Sequence, residues 1–380
     1  MSERWSITYR PRRFSEVVGQ KHVVTFFERV LRRYYEEGAT LPMGALFGGH
    51  SGVGKTTLAR VIASSLNCPN RKDVEPCGKC QSCNQIVSGS GGVMEIDASF
   101  FGSVEKVRLL RERLSSYSFS EYEVVIIDEC HMMSREANNV LLKLFEEPPE
   151  RVLFLLCTTE PHKLLDTVRS RLVEFRFTII PTSDVLRALK SLLKKEGVKC
   201  DASLLTKVYK LSNNNFRDVI VSLETLAMLG HAEITDAMLT EAFGDIHFFD
   251  KLIDTLRRGD YPEAVALYDA FYVHQSDFRL FLENLIQNLS DRLKQAMLAG
   301  DEVSSWYAHC LRTLYEYGRI RIGMISGSAA VRLLLLLLMP SQLSSSVAEI
   351  LRVDSKLLKT APTTLLTGDE MLSMLTEDEG

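Results

Sequence analysis

Residues 49 to 57 read Gly49-His50-Ser51-Gly52-Val53-Gly54-Lys55-Thr56-Thr57 and fit G-x-x-x-x-G-K-[ST], the pattern of a phosphate-cradling loop. The glycines let the backbone turn tightly enough for successive N–H groups to face phosphate oxygens. A helix starting at the loop's end adds its positive dipole. Lys55 can reach β- and γ-phosphates, and the Thr56 hydroxyl can ligate Mg²⁺. Four β-branched residues at 124–127 lead into Asp128-Glu129, as in a buried parallel strand with acids at its carboxyl end. Asp128 there can hold Mg²⁺ through water and Glu129 can polarise an attacking water; the plainer alternative is a strand followed by solvated acids. The apolar run at 152–157 ends in Thr158-Thr159. Either hydroxyl could sense a γ-phosphate, with Thr158 the choice, or merely cap the strand.

Two arginines are further candidates. Arg171 follows Arg169-Ser170 beside a short strand; such arginines are usually solvated, but a guanidinium can also neutralise a neighbour's γ-phosphate in trans. Arg217 opens a helix in Asn215-Phe216-Arg217-Asp218, where it either reaches bound phosphates from a lid or forms a surface Arg–Asp turn.

Of eight cysteines, Cys68, Cys77, Cys80 and Cys83 cluster as C-x8-C-x2-C-x2-C in a loop with Pro69, Pro76 and Gly78. Four thiolates suit a closed, tetrahedral, structural Zn²⁺; redox-active thiols are the competing reading. Cys130, Cys157, Cys200 and Cys310 stand alone in apolar or helical contexts, as buried thiols do.

These residues need a frame. A strand at 43–47 precedes the glycine loop, and Leu58, Val61, Ile62 and Leu66 recur at helical spacing after it. Strands are expected at 92–98, 124–127, 152–159 and 173–177, and helices at 22–37, 104–114 and 134–147. Alternation of this kind predicts an α/β fold with a mainly parallel sheet and helices on both faces. Residues 181–243 read as wholly helical, a small lid. Residues 246–339 are helical again and carry no further motif; Phe281, Leu282, Leu285, Ile286 and Leu289 look like packing faces. The expected domains are 1–178 with the cysteine insertion at 68–83, a three-helix lid at 179–243, a helical oligomerisation domain at 244–340 and a polar tail at 341–380.

The 380 residues are 46% hydrophobic and 25% charged, the balance of an ordinary water-soluble protein of two or three domains. A net charge of −4 argues against a wholly basic, DNA-coating protein but leaves room for a local basic surface. The chain opens without a signal sequence, and its longest apolar run, 333–339, is too short to span a bilayer. A cytoplasmic protein without membrane contact is expected.

Taken together, these motifs resemble those of the ATPase subunit (gamma/tau) of the bacterial DNA polymerase III clamp loader, an AAA+ family. The resemblance covers residues 9–339. It is carried by the Tyr9-Arg10-Pro11 to Val18-Gly19-Gln20 opening, the phosphate loop, the four-cysteine insertion after its helix, Asp128-Glu129-Cys130-His131-Met132, and Leu141 through Pro148-Pro149. It implies an AAA+ P-loop domain, a helical lid and an all-α collar that assembles a pentamer. It implies ATP, Mg²⁺ and Zn²⁺ as ligands, and as partners delta, delta-prime, further gamma/tau copies, the sliding clamp and primer–template DNA. Lys55, Thr56, Asp128 and Glu129 match the family's catalytic set, Thr158 its sensor 1, Arg217 its sensor 2 and Arg171 its arginine finger. Two departures stand out: Ser170-Arg171-Leu172 replaces Ser-Arg-Cys, and Asn214-Asn215 precede the sensor 2 helix where Gly-Ser is usual. The long tau extension is missing, so a short, gamma-like form is expected. The rival function is a non-hydrolysing, delta-prime-like subunit. Asp128-Glu129-Cys130-His131 is superficially like a helicase box, but no second helicase core follows. Elemental analysis of purified protein is expected to find about one zinc per chain, lost when Cys77 and Cys80 are replaced by serine.

Overall fold

The chain is described by a computed structural model at residues 4–101, 114, 121–212, 214–229, 232–243, 248–272, 278–321, 335 and 338. Two compact units divide it, Met1–Ala242 and Phe243–Gly380.

In the first unit, five short runs become strands: β1 (Gly44–Gly48), β2 (Val93–Asp97), β3 (Glu123–Asp128), β4 (Val152–Thr158) and β5 (Val173–Arg176). They form one sheet in the order β2-β3-β4-β1-β5, and every neighbouring pair is parallel. All five carboxyl ends therefore emerge at the same edge. Register aligns Gly48 with Thr158 and Asp97 with Asp128.

Side chains alternate across the sheet, and both faces are covered. Ala45, Phe47, Val124, Ile126, Leu153, Leu155 and Cys157 share one core with α1 (Lys21–Glu37) and α2 (Lys55–Asn67) through Val23, Phe27, Leu31, Leu58, Val61, Ile62 and Leu66. Leu46, Val125, Ile127, Phe154 and Leu156 form a second core, against Ala137, Leu141, Leu144 and Phe145 of the helix Arg135–Glu146. The start of that helix is set by Ser134, whose hydroxyl accepts from the Ala137 N–H at 3.1 Å, a side-chain N-cap. The expected α/β class and sheet are present.

The cysteine stretch is more structured than a loop: α3 (Gln81–Val87) carries Cys83, and Lys72 bridges to Glu75. Numbering in chain order, Arg135–Glu146 is α4. Beyond the sheet follow α5 (Thr182–Glu196), α6 (Ala202–Leu211), α7 (Phe216–Met228) and α8 (Asp236–Phe243). This part is not purely helical, because Lys199–Cys200 pairs in parallel with Glu233–Ile234. Two-residue strands leave no periodicity to read, which is why the pattern of residues 181–243 hides them.

The second unit contains α9 (Phe248–Arg258), α10 (Tyr261–Tyr272), α11 (Phe278–Ala299) and α12 (Ser304–Arg321). Leu252, Ile253, Leu256, Tyr268, Phe281, Leu285, Leu289, Cys310 and Leu314 form its core, together with Leu335 and Leu338 of the leucine run. Ile286, expected on the packing face, is instead exposed. Arg292 joins α11 to α9 through Asp254 at 2.6 Å and Asp250 at 2.8 Å. The expected helix at 104–114 lies outside the described residues except for Leu114, as do most of the leucine run and the 341–380 tail. No helix among the described residues is long and apolar enough to cross a membrane.

Phe27 locks α1 to the sheet, with its ring centroid 5.7 Å from Phe47 and 5.5 Å from Phe175. Phe27→Ala is expected to cost about 3–5 kcal/mol in urea unfolding.

Candidate nucleotide site and cysteine centre

The glycine loop joins β1 to α2 at the carboxyl edge of the sheet, where open α/β sheets bind ligands. Gly52 and Gly54 have φ of 72° and 98°, a region that L side chains rarely enter. Lys55 is the first residue of α2 and is folded back into the loop, where its ammonium donates to the carbonyls of Gly49 and His50 at 2.7 Å each. Burial lowers the Lys55 pKa, opposed by Cys157, Glu129 and Asp128. The Thr56 hydroxyl donates to Asp128 Oδ2 at 2.8 Å. Oδ1 of the same carboxylate accepts the Glu129 N–H at 3.0 Å. Burial raises the Asp128 pKa above the usual carboxylate value, and these two hydrogen bonds oppose it.

Glu129 sits at φ 46°, an uncommon left-handed conformation for a residue with a side chain. The turn brings its carboxylate to Thr159, whose hydroxyl donates to Oε2 at 3.2 Å. Thr158 is fully buried and faces elsewhere: its hydroxyl meets His131 Nδ1 at 2.9 Å and accepts the Glu160 N–H at 3.0 Å. The two threonines thus have different partners. His131 joins them, with Nδ1 also 3.4 Å from Glu129 and Nε2 3.5 Å from Glu160.

Arg217 is exposed on the first turn of α7. Asn215 caps that helix, its Oδ1 accepting from the Arg217 and Asp218 N–H groups at 2.9 and 3.3 Å. The same oxygen rests on the glycine loop: a Cβ built on Gly52 would lie 1.7 Å from it. Arg10 lies in the same region, since its pKa is lowered first by burial and then by the charges of Arg60 and Arg217, against Glu95 and Asp128. Arg171 is exposed, donating to the Thr167 carbonyl at 2.8 Å and to Glu146 at 3.3 Å.

The sulfurs of Cys68, Cys77, Cys80 and Cys83 all lie within 4.8 Å of one another. A tetrahedral zinc with Zn–S near 2.3 Å needs sulfurs about 3.8 Å apart, and the Cys68 and Cys80 sulfurs are 3.9 Å apart. Backbone N–H groups point at three of them: Cys77 N at Cys68 Sγ (3.3 Å), Cys80 N at Cys77 Sγ (3.3 Å) and Cys83 N at Cys80 Sγ (3.5 Å). Such donors favour thiolates. Backbone donation, from Lys79 foremost, pulls the Cys77 thiol down to about 6, whereas burial pushes Cys83 up. The donor set fits a structural zinc. All eight cysteines are free.

A family profile described as "DNA polymerase III, delta subunit" matches residues 20–181. The gamma/tau subunit of DNA polymerase III from Mycobacterium bovis is 34% identical over 292 residues, 74% of this chain and 49% of that protein. The gamma subunit from Buchnera aphidicola of Acyrthosiphon pisum is 36% identical over 241 residues, 62% of this chain and 64% of its own length. The tau subunit from Bacillus subtilis is 31% identical over 289 residues, 75% of this chain and 50% of that protein. Over the aligned residues this chain is similar to gamma/tau subunits of DNA polymerase III. It spans about half the length of the mycobacterial and Bacillus relatives. Among solved structures, RuvB from Thermotoga maritima aligns at 18% identity and a TM-score of 0.48, over 65% of this chain and 79% of that one.

The parallel sheet brings the residues singled out in the loop, β3 and β4 to one edge. Sequence reasoning missed Asn215 as the residue seated on Gly52, His131 as the link between the threonines, and Gln20. The Gln20 amide spans the Thr178 backbone, donating to its carbonyl at 2.6 Å and accepting its N–H at 3.1 Å. Gln20 carried a signal, the Gly19-Gln20 pair that follows the basic opening. Asn215 carried only that of an N-cap. Gly52→Ala is expected to destabilise the first unit by about 1–3 kcal/mol in urea unfolding, through backbone strain and the clash with Asn215. Adding Asn215→Gly, a tolerated cap, is expected to recover the steric share alone. An unchanged single variant would contradict the seating of Asn215 on the loop.

Proposed function

We propose that this chain is an ATP-hydrolysing motor subunit of a DNA polymerase III clamp loader, which opens a ring-shaped sliding clamp and places it on primed DNA in the cytoplasm. The observation that carries the reading is the 2.8 Å bond between Thr56 and Asp128, with Lys55 buried in the loop beside it. A subunit that never handled the triphosphate would have no use for that combination. In this reading Gly49 through Thr57 wrap the phosphates, and Lys55 exchanges its two loop carbonyls for phosphate oxygens. Thr56 and Asp128 would hold Mg²⁺, for which hard oxygen ligands are suited; the ion supplies neutralisation of charge on the β- and γ-phosphate oxygens. Glu129 orients and polarises the attacking water, and Thr159 fixes its carboxylate. Thr158 serves as the γ-phosphate sensor, with its hydroxyl kept in place by His131. Arg217 reaches the phosphates from the lid, and Arg171 leaves Glu146 to act on a neighbouring subunit's nucleotide. Cys68, Cys77, Cys80 and Cys83 would hold Zn²⁺ in a structural role. Residues 1–178, 179–243 and 244–340 act as base, lid and collar. The partners are delta, delta-prime, further copies of gamma/tau, the clamp and primer–template DNA. DNA is gripped through its phosphates, which carry no sequence code.

A non-hydrolysing, delta-prime-like role is the alternative, favoured by the delta-subunit description of the profile matching residues 20–181. Steady-state ATP hydrolysis with delta, delta-prime and clamp, with and without primed DNA, separates the two. The motor reading expects strong stimulation by clamp plus primed DNA, abolished by Lys55→Ala. Glu129→Gln is expected to retain ATP binding and lose at least about a hundredfold in turnover. Assembly that forms but whose turnover ignores both DNA and Lys55→Ala would overturn the motor reading.

A further inference from the structure

The N-terminal segment before α1 is fastened to the cysteine centre at several points. The half-buried Glu75 carboxylate accepts the Phe14 and Ser15 N–H groups at 2.8 and 2.9 Å. Arg13 donates to the Cys77 carbonyl at 2.6 Å. Arg12 donates to Asn84 Oδ1 at 3.2 Å. Phe14 and Val74, both 2% exposed, bury themselves in the same core. The segment then reaches the lid at its other end. The Tyr9 hydroxyl donates to Glu196 at the end of α5, and the Trp5 N–H donates to the buried Glu224 of α7 at 3.1 Å. Arg10 lies between these two anchorages, near Arg217 and Asp128. Residues 5–16 are thus a strap whose one end is held by the cysteine loop and whose other end holds two lid helices.

Glu75, Cys77 and Gly78 belong to the stretch that closes on Cys68, the residue that ends the helix of the phosphate loop. Around Val74 the stretch is packed into the unit, with the Ser65 hydroxyl donating to the Val74 carbonyl at 2.6 Å and Arg32 paired with Asp73; from Cys77 to Cys83 the sulfurs draw the chain back toward Cys68. Joining four sulfurs through one ion removes freedom from that part of the loop. We propose that the four-cysteine centre anchors the N-terminal strap, and that metal bound there raises nucleotide affinity by holding the strap, and with it the lid, against the phosphate loop. The proposal rests on the nucleotide-binding reading above and adds a use for the zinc. The centre acts on the ligand at a distance, without touching it.

The test compares wild type with an Arg13→Met, Glu75→Gln variant, each zinc-loaded and each stripped by chelator. The readouts are the equilibrium Kd for a fluorescent ATP analogue, metal content, and hydrogen exchange at residues 5–16. The variant is expected to keep about one zinc per chain, to exchange faster in the strap, and to bind about tenfold more weakly, an ordinary coupling between sites. Stripping is expected to weaken wild type by a similar factor and the variant by little more, because both changes release the same strap. A zinc-loaded variant or stripped wild type that binds as tightly as zinc-loaded wild type overturns the proposal, and so do fully additive effects. If stripping unfolds the protein, the zinc-loaded variant decides alone. Lys55→Ala is measured alongside. Its failure to lose affinity sinks the nucleotide reading, whereas its success with no effect of strap or metal sinks only the coupling.

Discussion

The hydrogen bond from Thr56 to Asp128 depends on register more than on the two residues that make it. Thr56 follows β1 and Asp128 ends β3, and β4 lies between those strands. The hydroxyl meets the carboxylate only if all three strands run the same way and stop at the same level. A slip of one residue in any of them would turn its apolar side chains to the wrong face. Both faces of this sheet are sealed by helices, so each strand has core contacts that penalise such a slip. Packing on the two faces thus fixes the edge at which the polar groups meet.

A buried cation, Lys55, and a partly buried carboxylate, Asp128, both lie at that edge. Burial lowers the Lys55 pKa and raises that of Asp128, so each group resists its charged form where it stands. The thiols of Cys130 and Cys157 are pushed up, mainly by burial, and stay neutral. In such surroundings a charge is felt more strongly than in water, and an incoming anion with its cation would relieve both groups together. The lysine meanwhile satisfies itself on two loop carbonyls.

What could be read in advance follows a physical division. The phosphate loop, the Asp128-Glu129 pair and the four cysteines are local patterns in which chemistry dictates type and spacing, and they appear where expected. Strands β3 and β4 were legible because four or more consecutive apolar residues can be little else between helices. The two-residue pair at Lys199–Cys200 and Glu233–Ile234 was not, and Ile286 lies on the exposed side of α11 although its neighbours are buried. The partition of Thr158 and Thr159 between His131 and Glu129 depends on how the chain leaves β4, which no spacing encodes. Contacts such as Glu75 with Phe14 and Ser15, or Trp5 with Glu224, join residues that only the finished fold brings together.

The seating of Asn215 on Gly52 differs in kind from the other contacts at the site. The amide oxygen is already engaged by two N–H groups of its own helix, and Gly52 offers it a hollow in place of a side chain. What holds there is complementarity of shape. A joint of that sort parts without stranding a donor or an acceptor, because Asn215 keeps its own partners wherever the helix goes. Within the first unit it is a contact held by fit alone, and any group that bonds across it would add what the fit does not supply.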